Sequence, residues 1–137
     1  MNTTQIETIL VNHGLRKTKQ RIILGQLIFG LHPTHWTAEQ LFSTCKEAGH
    51  SFSLATLYNT LNQFADKGLL RRIHLQGNLC YYDTNLEPHH HIYHTISKEL
   101  EDIPVESISA TIPMLSTQLQ TKDQPLPQFD IIVHSHD

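Results

Sequence analysis

The chain has only two cysteines, Cys45 and Cys80, and they do not form a CxxC pair. That excludes a disulfide framework and a cysteine zinc knuckle, and both thiols are expected to be reduced and packed. Long apolar runs are also missing. None approaches the roughly 18 residues of a membrane helix, and the opening MNTTQIETIL lacks a basic stretch followed by an apolar core. The expectation is a cytoplasmic protein with no membrane partner. No HExxH helix or comparable catalytic signature occurs, so an enzyme is not expected. A small metalloenzyme would need an open coordination position and a nearby general base. Low-complexity tracts are absent and 39% of the residues are hydrophobic, which suits one compact unit or two small ones.

Positive charge looks scarce as well, since the net charge is −3, but that figure averages two unlike halves. Residues 1–83 carry eight Lys/Arg against five Asp/Glu, whereas residues 84–137 carry two against eight. Arg16, Lys17, Lys19 and Arg21 fall within six positions, and Arg71 and Arg72 form a second pair. Such local clusters suit contacts to phosphate. Histidine is the residue in excess. There are eleven, with His89, His90 and His91 consecutive and His94 close behind, mid-chain where a purification tag would not sit. His13, His50 and His74 are read as surface or partly packed, and His134 and His136 as part of a frayed end.

Along the chain, Thr18 is a plausible N-cap for a helix that ends near Gly30. Thr37 with Gln40 fits a capping box for a short helix stopped by Gly49. Ser53 caps a third helix, in which Leu54, Leu57, Leu61 and Phe64 recur at helical spacing up to Gly68. Its polar face carries Ala55, Tyr58, Asn59, Asn62 and Gln63. The pattern then turns extended, from Leu69 to Leu75 and from Leu79 to Asp83, joined by Gln76-Gly77-Asn78 as a hairpin. Two helices with a short turn followed by a β-hairpin is the order of a winged helix. Trp36 is read as a packing anchor at the hinge. Later strands are expected around His91–Ile96, Glu99–Ile103 and Gln128–His134, with a short helix from Pro113 to about Gln120. The fold class is α+β, a winged helix-turn-helix over residues 1–83 and a small α/β domain over 84–137. The latter is too small to bury much alone, so pairing with a second copy is expected.

Three segments resemble the ferric uptake regulator family. Leu15-Arg16-Lys17-Thr18-Lys19-Gln20-Arg21 is similar to its L-(K/R)-x-T-x-x-R opening, Thr37-Ala38-Glu39-Gln40-Leu41 to its T-A-E-x-L helix start, and Leu54 to Leu61 to its recognition helix. The likeness runs over most of residues 15–103. Within the family, the Y-N-T-L-x-Q-F stretch, the triple histidine and Asp102-Ile103-Pro104 are most similar to the iron response regulator branch. The resemblance implies a homodimeric transcription regulator, most often a repressor, bound to a pseudo-palindromic operator in double-stranded DNA. Arg16, Lys17, Lys19 and Arg21 would touch phosphates, while Ala55, Thr56, Tyr58 and Asn59 would face the groove.

The resemblance further implies a hinge metal held by His35, Asp83, His89, His91 and Asp102. Three imidazoles and two carboxylates make a sulfur-free site suited to Fe²⁺, Mn²⁺ or Zn²⁺. His32, three residues from His35, either joins the site or stands on the loop. The family's structural zinc cysteines would fall at His94 and Ser97, so no four-cysteine zinc is expected. A second family metal site is degraded, with Pro88 and His90 at its positions. The triple histidine is associated with haem in the iron response branch, which makes haem an alternative ligand with His90 and His94 as candidates. Neither Cys45 nor Cys80 precedes a proline, so that branch's haem-regulatory Cys-Pro element is absent.

Overall fold

The computed structural model describes residues 1–30, 34–107 and 130–136, and the chain divides into two compact units, Met1–Leu86 and Glu87–Asp137. The first unit opens with a helix the hydrophobic pattern did not announce, α1 (Thr3–Asn12). Its start is nonetheless chemically explicit: Asn2 and Gln5 cap each other's backbone in a capping box. Ile6 and Leu10 are the residues it buries, against α2 (Lys19–Gly30). A Cβ on Gly25 of α2 would stand 2.8 Å from Cγ2 of Ile6, so the two helices approach as closely as they do because that residue is glycine.

The expected Thr37–Gln40 capping box starts α3 (Ala38–Glu47), and Gly49, at φ +81°, leaves the helix in the left-handed region. Ser53 Oγ accepts from the Thr56 amide at the head of α4 (Leu54–Asp66), and Gly68, also at φ +81°, ends it. The strands β2 (Arg71–His74) and β3 (Cys80–Asp83) form the expected antiparallel hairpin. A two-residue strand, β1 (His35–Trp36), adds to the other side of β3 in the order β1-β3-β2, pairing His35 with Asp83 and Trp36 with Tyr82. Two residues are too short to show any periodicity, which is why this strand was not legible in advance. Trp36 is fully buried in the core with Leu24, Ile28, Leu41, Leu57, Leu61 and Phe64, and its indole N–H donates to the Ile28 carbonyl at 3.2 Å. Cys45 is buried and Cys80 half-buried, both as free thiols.

The described residues of the second unit form a three-stranded sheet in the order β5-β4-β6, built from β4 (His89–His94), β5 (Glu99–Pro104) and β6 (Ile132–Ser135). β4 and β5 are antiparallel and place His91 opposite Asp102, while β6 runs parallel to β4. β4 starts two residues before the expected His91 and so takes in all three consecutive histidines. The helix expected from Pro113 and the first residues of the last expected strand lie outside the described residues. No helix among the described residues is long and apolar enough to cross a membrane.

Candidate metal ligands and nucleic-acid interface

In the first unit the β1–β3 pairing sets His35 beside Asp83, with His35 Nε2 at 3.3 Å from Asp83 Oδ2. Asp83 is fully buried, and its other oxygen, Oδ1, accepts from the Asn85 amide at 2.8 Å. That bond fixes the carboxylate's rotation, so Oδ2 is the oxygen turned toward the imidazole. A buried carboxylate is costly unless a positive or hydrogen-bonding partner faces it.

In the second unit the period of two along β4 puts His89 and His91 on one face, and their rings meet edge-on at 4.5 Å between centroids. The strand register brings Asp102 of β5 against both. Its Oδ1 lies 3.2 Å from His89 Nε2 and 3.4 Å from His91 Nε2. His89 Nδ1 faces the Glu87 carbonyl, which can only accept, so in the neutral ring the proton sits on Nδ1 and Nε2 presents its lone pair. A lone pair and a carboxylate oxygen that converge at such distances repel unless a cation or a proton lies between them. The donors are all nitrogen and oxygen, a set that fits a borderline or hard divalent ion.

His90 and His94 are not brought into this cluster. They lie on the opposite face of β4, where His90 Nδ1 accepts from the Ile131 amide at 3.0 Å and His94 Nε2 meets Glu101 Oε2 at 3.0 Å. His13 and His74 are exposed, and His50 stacks on Phe52. The ring of His134 stands edge-on to Tyr93 and His136 Nδ1 is 3.4 Å from the Thr95 hydroxyl. His32 lies outside the described residues.

The polar face of α4 leaves Ala55, Tyr58 and Asn59 exposed and Thr56 half-buried. Thr56 and Asn59 line a shallow groove of about 390 Å³ with Thr18, Gln20 and Arg21 from the start of α2. Arg16, Lys17 and Lys19 are exposed nearby. Arg21 is half-buried and partly engaged: its guanidinium donates to the Arg16 carbonyl and to Gln63 Oε1, each at 3.1 Å. It therefore ties the basic segment to α4 with two of its N–H groups. One surface contact had no sequence signal. The Tyr58 hydroxyl donates to Glu39 Oε1 at 2.7 Å across 19 residues, a contact that no local pattern encodes.

The model of the ferric uptake regulator family matches residues 12–126. The chain belongs to that family. Membership makes it part of a family of regulators rather than of enzymes, and the matched span extends beyond the 15–103 over which the motifs were legible. The chain is 31% identical over 81 residues to the ferric uptake regulation protein of Vibrio anguillarum, a stretch covering 59% of this chain and 54% of that protein. It is 30% identical over 87 residues to the protein of the same description from Escherichia coli K12, covering 64% and 59%. The chain thus spans little more than half the length of the curated relatives it matches. Among solved structures it resembles the ferric uptake regulator from Pseudomonas aeruginosa with manganese at a TM-score of 0.76, with 21% identity over 96% of this chain and 97% of that one. The regulator from Francisella tularensis with iron gives 0.75, with 21% identity over 89% and 91%. These likenesses establish the α+β fold of the family, an N-terminal winged-helix region followed by a β-rich part.

Proposed function

We propose that this chain is a cytoplasmic, homodimeric, metal-responsive repressor of the iron response regulator branch, controlling genes of iron or haem homeostasis through a pseudo-palindromic operator. The observation that carries the reading is that each unit gathers metal-ligating side chains of its own, His35 against Asp83 in the first and His89 and His91 against Asp102 in the second. One divalent ion, Fe²⁺ or Mn²⁺ with Zn²⁺ possible, would take one donor atom from each of the five. An ion held by both units favours the arrangement in which all five donors converge, and its differential affinity for that arrangement biases the spacing of the two recognition helices in the dimer. On the DNA side, Arg16, Lys17, Lys19 and Arg21 serve the phosphates and Ala55, Thr56, Tyr58 and Asn59 the base edges. The iron-response assignment is supported by the triple histidine and by Asp102-Ile103-Pro104.

The test is an anaerobic titration with Fe²⁺, Mn²⁺ and haem, following binding of the full chain to an operator-bearing duplex, for the wild type and Asp102→Ala. Asp102 faces both His89 and His91. Its loss is expected to weaken the metal response at least tenfold to a hundredfold, the range for removing a supporting carboxylate. A wild-type Fe²⁺ and Mn²⁺ response in Asp102→Ala refutes the five-donor site. A Soret shift with haem that survives Asp102→Ala while metals have no effect on the wild type would replace the metal by haem.

A further inference from the structure

We propose that Glu39 determines base preference at one position of each half-site, by consuming the hydroxyl proton of Tyr58 and leaving that side chain an acceptor-only reader. The inference rests on the DNA-binding reading above. Glu39 stands in the first turn of α3 and Tyr58 one turn into α4, the two helices of the helix-turn-helix. The bond between them is 2.7 Å long, and Tyr58 is 38% exposed on the same face as Asn59.

A carboxylate at this place is not explained by affinity. The exposed cations Arg16, Lys17 and Lys19 attract phosphate, whereas an anion on the DNA-facing side opposes it. Glu39 does not serve the capping box either, since Thr37 and Gln40 make both of its bonds. The Glu39 side chain instead accepts the hydrogen bond from Tyr58. A tyrosine hydroxyl has one proton and two lone pairs. A bond to a carboxylate is charge-assisted, so the proton stays on the Glu39 side and Tyr58 turns only lone pairs and ring edge outward. The hydrogen bond to Glu39 is also what raises the Tyr58 phenol above the ordinary tyrosine range, consistent with a proton that is firmly held.

Base chemistry then decides what can sit opposite. In the major groove adenine and cytosine present amino donors, and thymine presents a methyl group that packs on a ring; guanine presents only the acceptors N7 and O6. An acceptor-only Tyr58 pairs with the first two, tolerates the third and sets its lone pairs against guanine. Specificity of this kind comes from an unfavourable juxtaposition built against the wrong partner.

The experiment uses the full chain with Mn²⁺ and an operator enriched by the wild-type protein from random duplexes, each half-site base pair then being replaced in turn. Wild type is expected to reject guanine at one position by about fivefold to tenfold, the span of a single hydrogen bond of about 1 to 1.4 kcal/mol. Glu39→Ala should shrink that ratio below about twofold, because the freed hydroxyl can donate to guanine, while other positions keep their preferences and random-duplex affinity does not fall. Glu39→Gln retains an acceptor for the tyrosine and should restore most of the discrimination. Thermal unfolding of each variant reports that the helices are intact. A Glu39→Ala profile identical to wild type, or one weakened uniformly at every position, overturns the proposal. If wild type enriches no sequence at all, the DNA-binding reading fails first and takes this inference with it.

Discussion

In the first unit the large fully buried side chains are mostly apolar, among them Ile6, Leu10, Leu24, Ile28, Leu41, Leu57, Leu61, Phe64, Ile73 and Trp36, with Asp83 the buried charge; in the described part of the second, the buried set is His89, His90, His91 and Tyr93. Apolar burial contributes roughly 1.5–3 kcal/mol per large side chain and needs no partner of particular chemistry. A buried imidazole stabilises nothing by leaving water, and it must be matched by a hydrogen bond or an ion. Among the described residues, apolar burial is therefore concentrated in the first unit and imidazole burial in the sheet of the second.

The largest way to break this comparison is to open the first core. Phe64 is fully buried and stacks with Phe29 at 6.1 Å between centroids. Phe64→Ala is expected to cost about 3–5 kcal/mol, measured by urea denaturation, and saturating Mn²⁺ should not restore specific DNA binding. A loss below about 1 kcal/mol would mean that the first unit is not held by this core. The next effect belongs to the second unit. Mn²⁺ at about a hundred times its Kd should stabilise the protein by about 2.7 kcal/mol, with a gain in amide-exchange protection in β4 and β5 at least as large as that in β1 and β3. Protection that rises only in α2 and α4 would invert the comparison. Smaller again is Gly25→Ala. The added methyl group meets Ile6 Cγ2 at 2.8 Å, and a β-branched side chain between two helices has little room to give. Overpacking should cost about 1–3 kcal/mol in thermal unfolding and leave the Mn²⁺ affinity unchanged.

What the sequence disclosed follows the same division. Helices with a cap, a periodic apolar face and a terminal glycine were legible, and α3 and α4 begin at the residues that Thr37 and Ser53 announced. α1 was not, because its only buried residues are Ile6 and Leu10, and two apolar positions set no period. β1 was missed for the reason that makes it useful: two residues suffice to hold His35 opposite Asp83, and pairing across 48 positions leaves no local trace. The candidate coordinating residues were named from motif resemblance. Their orienting partners, the Asn85 amide on Asp83 and the Glu87 carbonyl on His89, are backbone groups and carry no sequence signature. The Tyr58–Glu39 bond was hidden likewise, although both residues stood inside quoted motifs.

The smallest expected effect separates two tyrosines inside the first unit. Tyr82 is buried, and burial first of all pushes its phenol up to about 12. Tyr58 is raised as well, with the hydrogen bond to Glu39 as the leading cause rather than burial. For an acid whose folded pKa lies above the unfolded value of about 10, the folded state holds its proton more tightly. The stabilisation is then complete below pH 10 and is lost as pH rises through the folded pKa. Glu39→Gln removes the anion and keeps an acceptor, so Tyr58 should titrate at lower pH than in wild type, and in Glu39→Ala at lower pH still. Tyr82 makes its hydrogen bond to Asn62 and should not move. The difference in tyrosinate absorbance between wild type and each variant, recorded across the alkaline range, isolates a single phenol. If the two proteins give superimposable titrations, Glu39 does not hold the Tyr58 proton in solution, and the first unit's reading face is less pre-set than its core.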